Sequence, residues 1–141
     1  MSSLTLQQAN QIIAGALVRS KEQKFAPMAV VVLDAAGHIK AAQREDGASM
    51  FRVDVALGKA WGSVAMGANS GQLAARAKDN PNFFVTLAAT AQGKFLPQPG
   101  AVLIKDADGT IIGAAGASGG TGEQDEAICI AGVQSAGLVN G

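Results

Sequence analysis

The chain has 141 residues, no net charge, 48% apolar residues and only 16% charged ones, against about 25% charged in average soluble domains. One histidine, one cysteine and no tyrosine exclude an internal disulfide and a multi-histidine metal site, and they remove most nucleophile–base pairs. With no basic block and few aromatic rings to stack on bases, nucleic acid is not an expected partner; with no run of roughly 18 apolar residues, neither is a membrane.

Leu4 to Ser20 carries apolar residues at Leu6, Ile13, Ala16 and Leu17, the spacing of one helical face. Thr5 with Gln8 reads as a capping box at its start. Met28 to Leu33 is a β-branched apolar run, a buried strand. Asp34-Ala35-Ala36-Gly37 is a turn, and His38 to Arg44 returns as the second strand of a hairpin. After the Asp46-Gly47 break, Met50 to Gly67 is helical, with Val53, Leu57, Trp61 and Val64 on one face. Ser70 is placed to cap a short helix through Lys78; Asn80-Pro81 stops it and is also placed to start another short turn. Leu96 to Gly100 is loop. Ala101 to Lys105 and Thr110 to Ala117 form a second hairpin about the Asp106–Gly109 turn. Thr121 with Gln124 caps a last helix through Ser135, and Glu123, Asp125 and Glu126 in its first turn suit the helix dipole.

Helix, hairpin, helices, hairpin, helix is an α+β order: helices must cover an antiparallel sheet, in two layers or three. The length fits one domain over residues 1–141. No basic and apolar leader opens the chain, so a cytoplasmic location is expected. The low charge points to a surface that packs in part against copies of itself.

The most informative stretch is Gly109 to Gly120, where glycines interrupt a strand of small residues before a Gly-Gly turn. Glycine weakens a strand, so its use there marks a close approach to the backbone by a helix, another subunit or a ligand. The acidic helix that follows is apolar almost all round from Ala127 to Val133, so it is buried on more than one side, in part between subunits. Cys129 in that body reads as a small buried hydrophobe.

Two cations stand out. Seven positions separate Arg52 from Lys59, which puts them two turns apart on one helical face. A guanidinium fork fits a carboxylate and an ammonium is a point charge, so the strip reads either as a pocket for a small anion or as a solvated helix face. Asp46 ahead of that helix is a general base or a turn residue. Ser118-Gly119-Gly120 lets a ligand or a subunit approach the backbone, or is a tight strand-to-helix turn. Asp125 belongs to a site near that turn, or stabilises the helix start. His38 is a surface turn residue or an axial haem ligand. Trp61 reads as core, and Phe83, Phe84 and Phe95 as core edge or as a cover over an apolar ligand.

Five motifs occur together: Arg44-Glu45-Asp46-Gly47-Ala48, Arg52 through Trp61, Pro99 through Ile104, Ile112 through Gly119, and Asp125-Glu126. The set resembles the GlcG-like, haem-degrading domain family, which also takes in the PduO C-terminal domain and a streptomycete haem-binding protein. The resemblance covers nearly the whole chain. It implies a profilin-like fold, with a central antiparallel sheet of about five strands flanked by helices, and assembly from dimer to octamer. The family often has Gly-Gly-Val-Pro-Ile where this chain has Pro99 to Ile104, and Ser is common at the position of Arg52.

Three functions are then open. The first is a lyase or isomerase of small organic or aromatic acid catabolism. Arg52, with Gly47, Ser118, Gly119 and Asp125, would hold the substrate anion, while Asp46, Lys59 and Glu126 would do the proton transfer, with no cofactor expected and no metal. The second is a non-catalytic haem or tetrapyrrole binder, with propionates on Arg52 and Lys59 and with His38 or another group near the iron. The third is a purely structural assembly.

Overall fold

The computed structural model describes residues 3–141. Five helices and five strands alternate along it: α1 Leu6–Glu22, β1 Ala29–Asp34, β2 Ile39–Arg44, α2 Phe51–Met66, α3 Ser70–Asp79, α4 Pro81–Thr90, β3 Ala101–Lys105, β4 Ile111–Ser118, α5 Gly122–Ser135 and β5 Val139–Asn140. The strands form one antiparallel sheet in the order β2-β1-β4-β3-β5. The fold is α+β, as the order of elements predicts.

The layers number three. Alternate side chains of β1, Val30 and Val32, face α1 and α5 with Ile12, Ile13, Ile128 and Val133. Val31 and Leu33 face α2 with Ala56 and Ala60, as period-two strands require. α5 is nearly apolar because it packs both on the sheet and on α1. A Cβ on Gly132 would collide with the Ile12 carbonyl oxygen, so the two helices touch backbone to backbone. Its buried residues Ile128, Cys129, Gly132 and Val133 are therefore covered within the chain.

α2 departs from its expected orientation. The residues fully buried against the sheet are small: Ala56, Ala60 and Ser63. The bulky Val53, Leu57, Trp61 and Val64 are only partly buried, around the rim of that contact. The reason lies across the interface. A Cβ on Gly116 of β4 would collide with the Ala56 carbonyl oxygen, so helix and strand meet on small residues and large ones are pushed aside. The glycine spacing of β4 thus marks the approach of a helix of the same chain.

Three further boundaries differ from expectation. α3 is capped by Asn69, not Ser70: Asn69 and Gln72 form a reciprocal box. Ser70 is buried, and its Oγ accepts from Ala101 N at 2.8 Å and donates to Ala101 O at 3.3 Å. Asn69 Oδ1 accepts from Leu103 N at 2.9 Å, so two side chains close part of the outer edge of β3. Asn80-Pro81 stops one helix but opens a ten-residue one, α4, because proline at the first helical position needs no hydrogen bond. β5 has two residues and pairs with Ile104 and Lys105, too short for any periodicity to announce.

Candidate functional site

α2 has three faces with three uses. One faces the sheet. A second, Asp54, Leu57, Gly58 and Trp61, lines a cavity of about 740 Å³ with Gly37, His38 and Ile39 of the β1–β2 turn and with Lys94 of the α4–β3 connection. The third, Arg52, Val55 and Lys59, lines a smaller recess of about 360 Å³ with Gln98, Ser118, Glu123 and Asp125.

The small recess is the more strongly built. Lys59 is only 5% exposed and Asp125 only 2%. Lys59 Nζ donates to Asp125 Oδ2 at 3.0 Å and to the Ala117 carbonyl at 3.0 Å. The other carboxylate oxygen, Asp125 Oδ1, accepts from Gly120 N–H at 2.9 Å. An ion pair removed from water must be hydrogen-bonded on both sides to survive the desolvation, and this one is. Room for it comes from Gly100, where a Cβ would lie 2.6 Å from Lys59 Nζ. Arg52 Nη1 donates to Ser118 Oγ at 3.4 Å, and the guanidinium has no ion-pair partner among the described residues.

Of the residues expected to form one site, the structure brings Arg52, Lys59, Ser118 and Asp125 together and leaves others apart. Gly119 adjoins the recess, but its bare Cα serves the Pro27 carbonyl oxygen, with which a Cβ would collide. Asp46 and Gly47 are exposed in the turn before α2, and neither lines the recess. The neighbouring Glu45 has the structural task there: its Oε1 accepts from Met28 N at 2.8 Å. Glu126 lies off the recess as well, with Oε2 directed at the first turn of α3, 3.7 Å from where a Cβ on Gly71 would stand. Gln98 and Glu123 complete the lining. Sequence spacing gave no sign of Gln98, because it depends on where the α4–β3 connection crosses α2.

The larger cavity contains the single imidazole. His38 is exposed at the hairpin turn, and both turns of the main chain around it are fixed by Asp34, whose Oδ1 accepts from Ala36 N and His38 N, each at 3.0 Å. Trp61 stands under the turn, its Nε1 3.4 Å from a Cβ built on Gly37, and is half-buried rather than core. Its spacing from Leu57 and Asp54 on one helical face was a usable signal for this lining. Phe84 and Phe95 do not cover either cavity; their rings stack at 6.0 Å in a separate buried cluster with Leu73. Cys129 is fully buried, its Sγ donating to Gly100 O at 3.6 Å. Burial first, and the Asp125 carboxylate second, push its thiol far above its ordinary range, so it offers no thiolate.

His38 and the Arg52–Lys59 pair do not share a cavity. Arg52 and Trp61 are nine positions apart on α2, about 13 Å of helix, and the two linings occupy different flanks. No single recess of the described residues is lined by both His38 and Arg52.

Comparison with known proteins follows from this geometry. A crystal structure of a PduOC–haem complex superposes with a TM-score of 0.86 at 27% identity, covering 97% of both chains. Protein ORFY of Klebsiella pneumoniae, assigned to the family DUF336, gives 0.87 at 25% identity over 97% of this chain and 92% of that one. A double mutant of HbpS from Streptomyces reticuli gives 0.82 at 25% identity over 95% and 87%. No curated protein sequence matches the chain. The family model for haem-degrading proteins of the HbpS-like type matches residues 4–134, and the chain belongs to that family.

Proposed function

We propose that this protein binds haem, in the cavity between the β1–β2 turn, α2 and the α4–β3 connection, and that it does so without catalysing a reaction of small acids. One observation carries the reading: the only imidazole of the chain lines a cavity large enough for a macrocycle, on a fold shared with a haem complex. The residues present fit such a group. His38 would supply an axial nitrogen, Leu57 and Ile39 apolar contact, and Trp61 a flat surface. Lys94, on the same lining as Asp54, would take a propionate. Bound there, haem supplies a redox-active iron; the chain's own part is to hold and orient the ring. Self-association accompanies this reading, since the adjacent Met50 and Phe51 are 81% and 65% exposed on a surface poor in charge.

A lyase or isomerase has weaker support. Asp46 and Glu126 lie off the recess, and both oxygens of Asp125 and two donors of Lys59 are spent on each other and on the main chain. Such groups have little freedom to move a proton.

Titration of the purified protein with haemin tests the proposal. The expected result is a saturable, shifted Soret band that His38→Ala removes while the far-ultraviolet circular dichroism is unchanged. An unshifted band at micromolar haemin, or a band indifferent to His38→Ala, overturns it.

A further inference from the structure

On the opposite flank of α2 from the haem cavity, we propose a second ligand site: the recess of Arg52, Ser118 and Glu123 binds a small carboxylate that also carries a hydrogen-bond donor, a hydroxy or amino acid. The argument runs through the charges. Lys59 and Asp125 are both buried and neutralise each other at 3.0 Å. Of the main-chain donors at the start of α5, three are spent: Gly120 N–H on Asp125, Thr121 N–H on Gln124 Oε1 and Gln124 N–H on Thr121 Oγ1. What remains on the lining is one cation without an ion-pair partner, Arg52, one such anion, Glu123, the Gln98 amide, and the N–H groups of Gly122 and Glu123, which have no hydrogen-bond partner among the described residues. Arg52 makes a single side-chain hydrogen bond, to Ser118 Oγ, which tethers one corner of the guanidinium at the recess and leaves its other N–H groups free for a ligand. A planar fork held in place selects a carboxylate over a spherical anion.

Glu123 decides the rest of the ligand. An anion alone meets a recess whose net charge is zero, and the Glu123 carboxylate opposes it. A ligand with a hydroxyl or ammonium group beside its carboxylate satisfies Glu123 as an acceptor and Arg52 as a donor at once. The volume of about 360 Å³ is at the low end for ligand sites and excludes a tetrapyrrole. The rigid floor formed by the buried ion pair supplies preorganisation, so ligand ordering is the main cost of binding. The site does not depend on haem binding at the other flank, and its test contains no haem.

The test uses L-lactate and propanoate, which differ by one hydroxyl, with chloride as a control. Binding is followed in the haem-free protein by the backbone amide resonances of Ser118, Gly119 and Gly120 and the Nε–H resonance of Arg52. Lactate is expected to shift these saturably and to bind about tenfold more tightly than propanoate, the effect of one satisfied hydrogen bond to a charged group. Arg52→Gln should abolish the lactate shifts, and Glu123→Ala, which removes the acceptor, should bring lactate and propanoate to similar affinity, both variants keeping the wild-type amide spectrum elsewhere. Equal shifts with chloride, no saturable shift with lactate, or lactate binding unchanged in Arg52→Gln overturns the proposal. Equal binding of lactate and propanoate to the wild-type protein overturns its donor requirement.

Discussion

Lys59 of α2 and Asp125 of α5 meet at 3.0 Å although their helices cover opposite faces of the sheet. The contact passes around the end of β4, across the bare Cα of Gly100 and against the Ala117 carbonyl. It ties together two layers that the sheet otherwise keeps apart.

Removing one partner leaves the other charged in a place with no water. Lys59→Met is therefore expected to cost about 3–5 kcal/mol in urea unfolding. The double variant Lys59→Met with Asp125→Leu should recover most of that loss, because an apolar pair avoids the desolvation of both ions. If the single variant unfolds at the wild-type urea midpoint, the ion pair is not buried as described.

Gly116→Ala probes the contact that sets α2 on the sheet. The added methyl meets the Ala56 carbonyl oxygen, which belongs to a helix backbone and cannot rotate away. A loss of about 1–3 kcal/mol is expected, the usual cost of overpacking, visible as a lower thermal midpoint. Gly109→Ala is the control for a different cause: no neighbouring atom lies within 4 Å there, and only the φ of +83° resists the substitution.

Cys129 gives the protein an alkaline weakness. Its thiol is raised above the ordinary 9.0 in the folded state and returns to that value on unfolding. Above pH 9 the unfolded chain binds fewer protons than the folded one, so this group's contribution to stability falls as pH rises, by at most about 1.4 kcal/mol per unit. Below pH 9 it has no such effect. Comparing urea midpoints of wild type and Cys129→Val from pH 7 to pH 10 isolates the effect. The wild type should lose stability faster above pH 9, and parallel curves would contradict the burial of the thiol.

Trp61 is the only tryptophan and lines the cavity assigned to haem. Haemin in that cavity is expected to quench most of the indole emission by short-range energy transfer, in step with the Soret change. Quenching that persists undiminished in His38→Ala would show that the indole reports on haemin elsewhere.

Much of this architecture was legible from residue order alone. The boxes Thr5–Gln8 and Thr121–Gln124 start α1 and α5 where they were expected, because a cap is local chemistry. Asn80-Pro81 was legible as a stop and as the start of a further turn, but not as the start of a ten-residue helix, since a proline at the first helical position says nothing of how far the helix runs. α2 misled in a different way: hydrophobic spacing locates a helix's greasy side, but here closeness to Gly116 mattered more than greasiness, and the small residues took the sheet. For the site, a spacing of seven correctly put Arg52 and Lys59 on one flank, yet it says nothing of depth. The burial of Lys59 depends on a partner 66 positions away. Asp46 is adjacent in sequence and remote from the recess, since proximity along the chain is lost at the turn before α2.

Asn69 and Ser70 have an effect on assembly that reaches beyond α3. Their side chains occupy main-chain groups of Ala101 and Leu103 that an incoming strand would need, and β5 occupies the remainder of that border. The sheet therefore has one long open side, β2, where Lys40, Gln43 and Arg44 already discourage pairing,. Should two copies join there, the union consumes the only long border of each and leaves just the two-residue β5, so growth ends at a closed two-fold pair with little left for a fibre to propagate on.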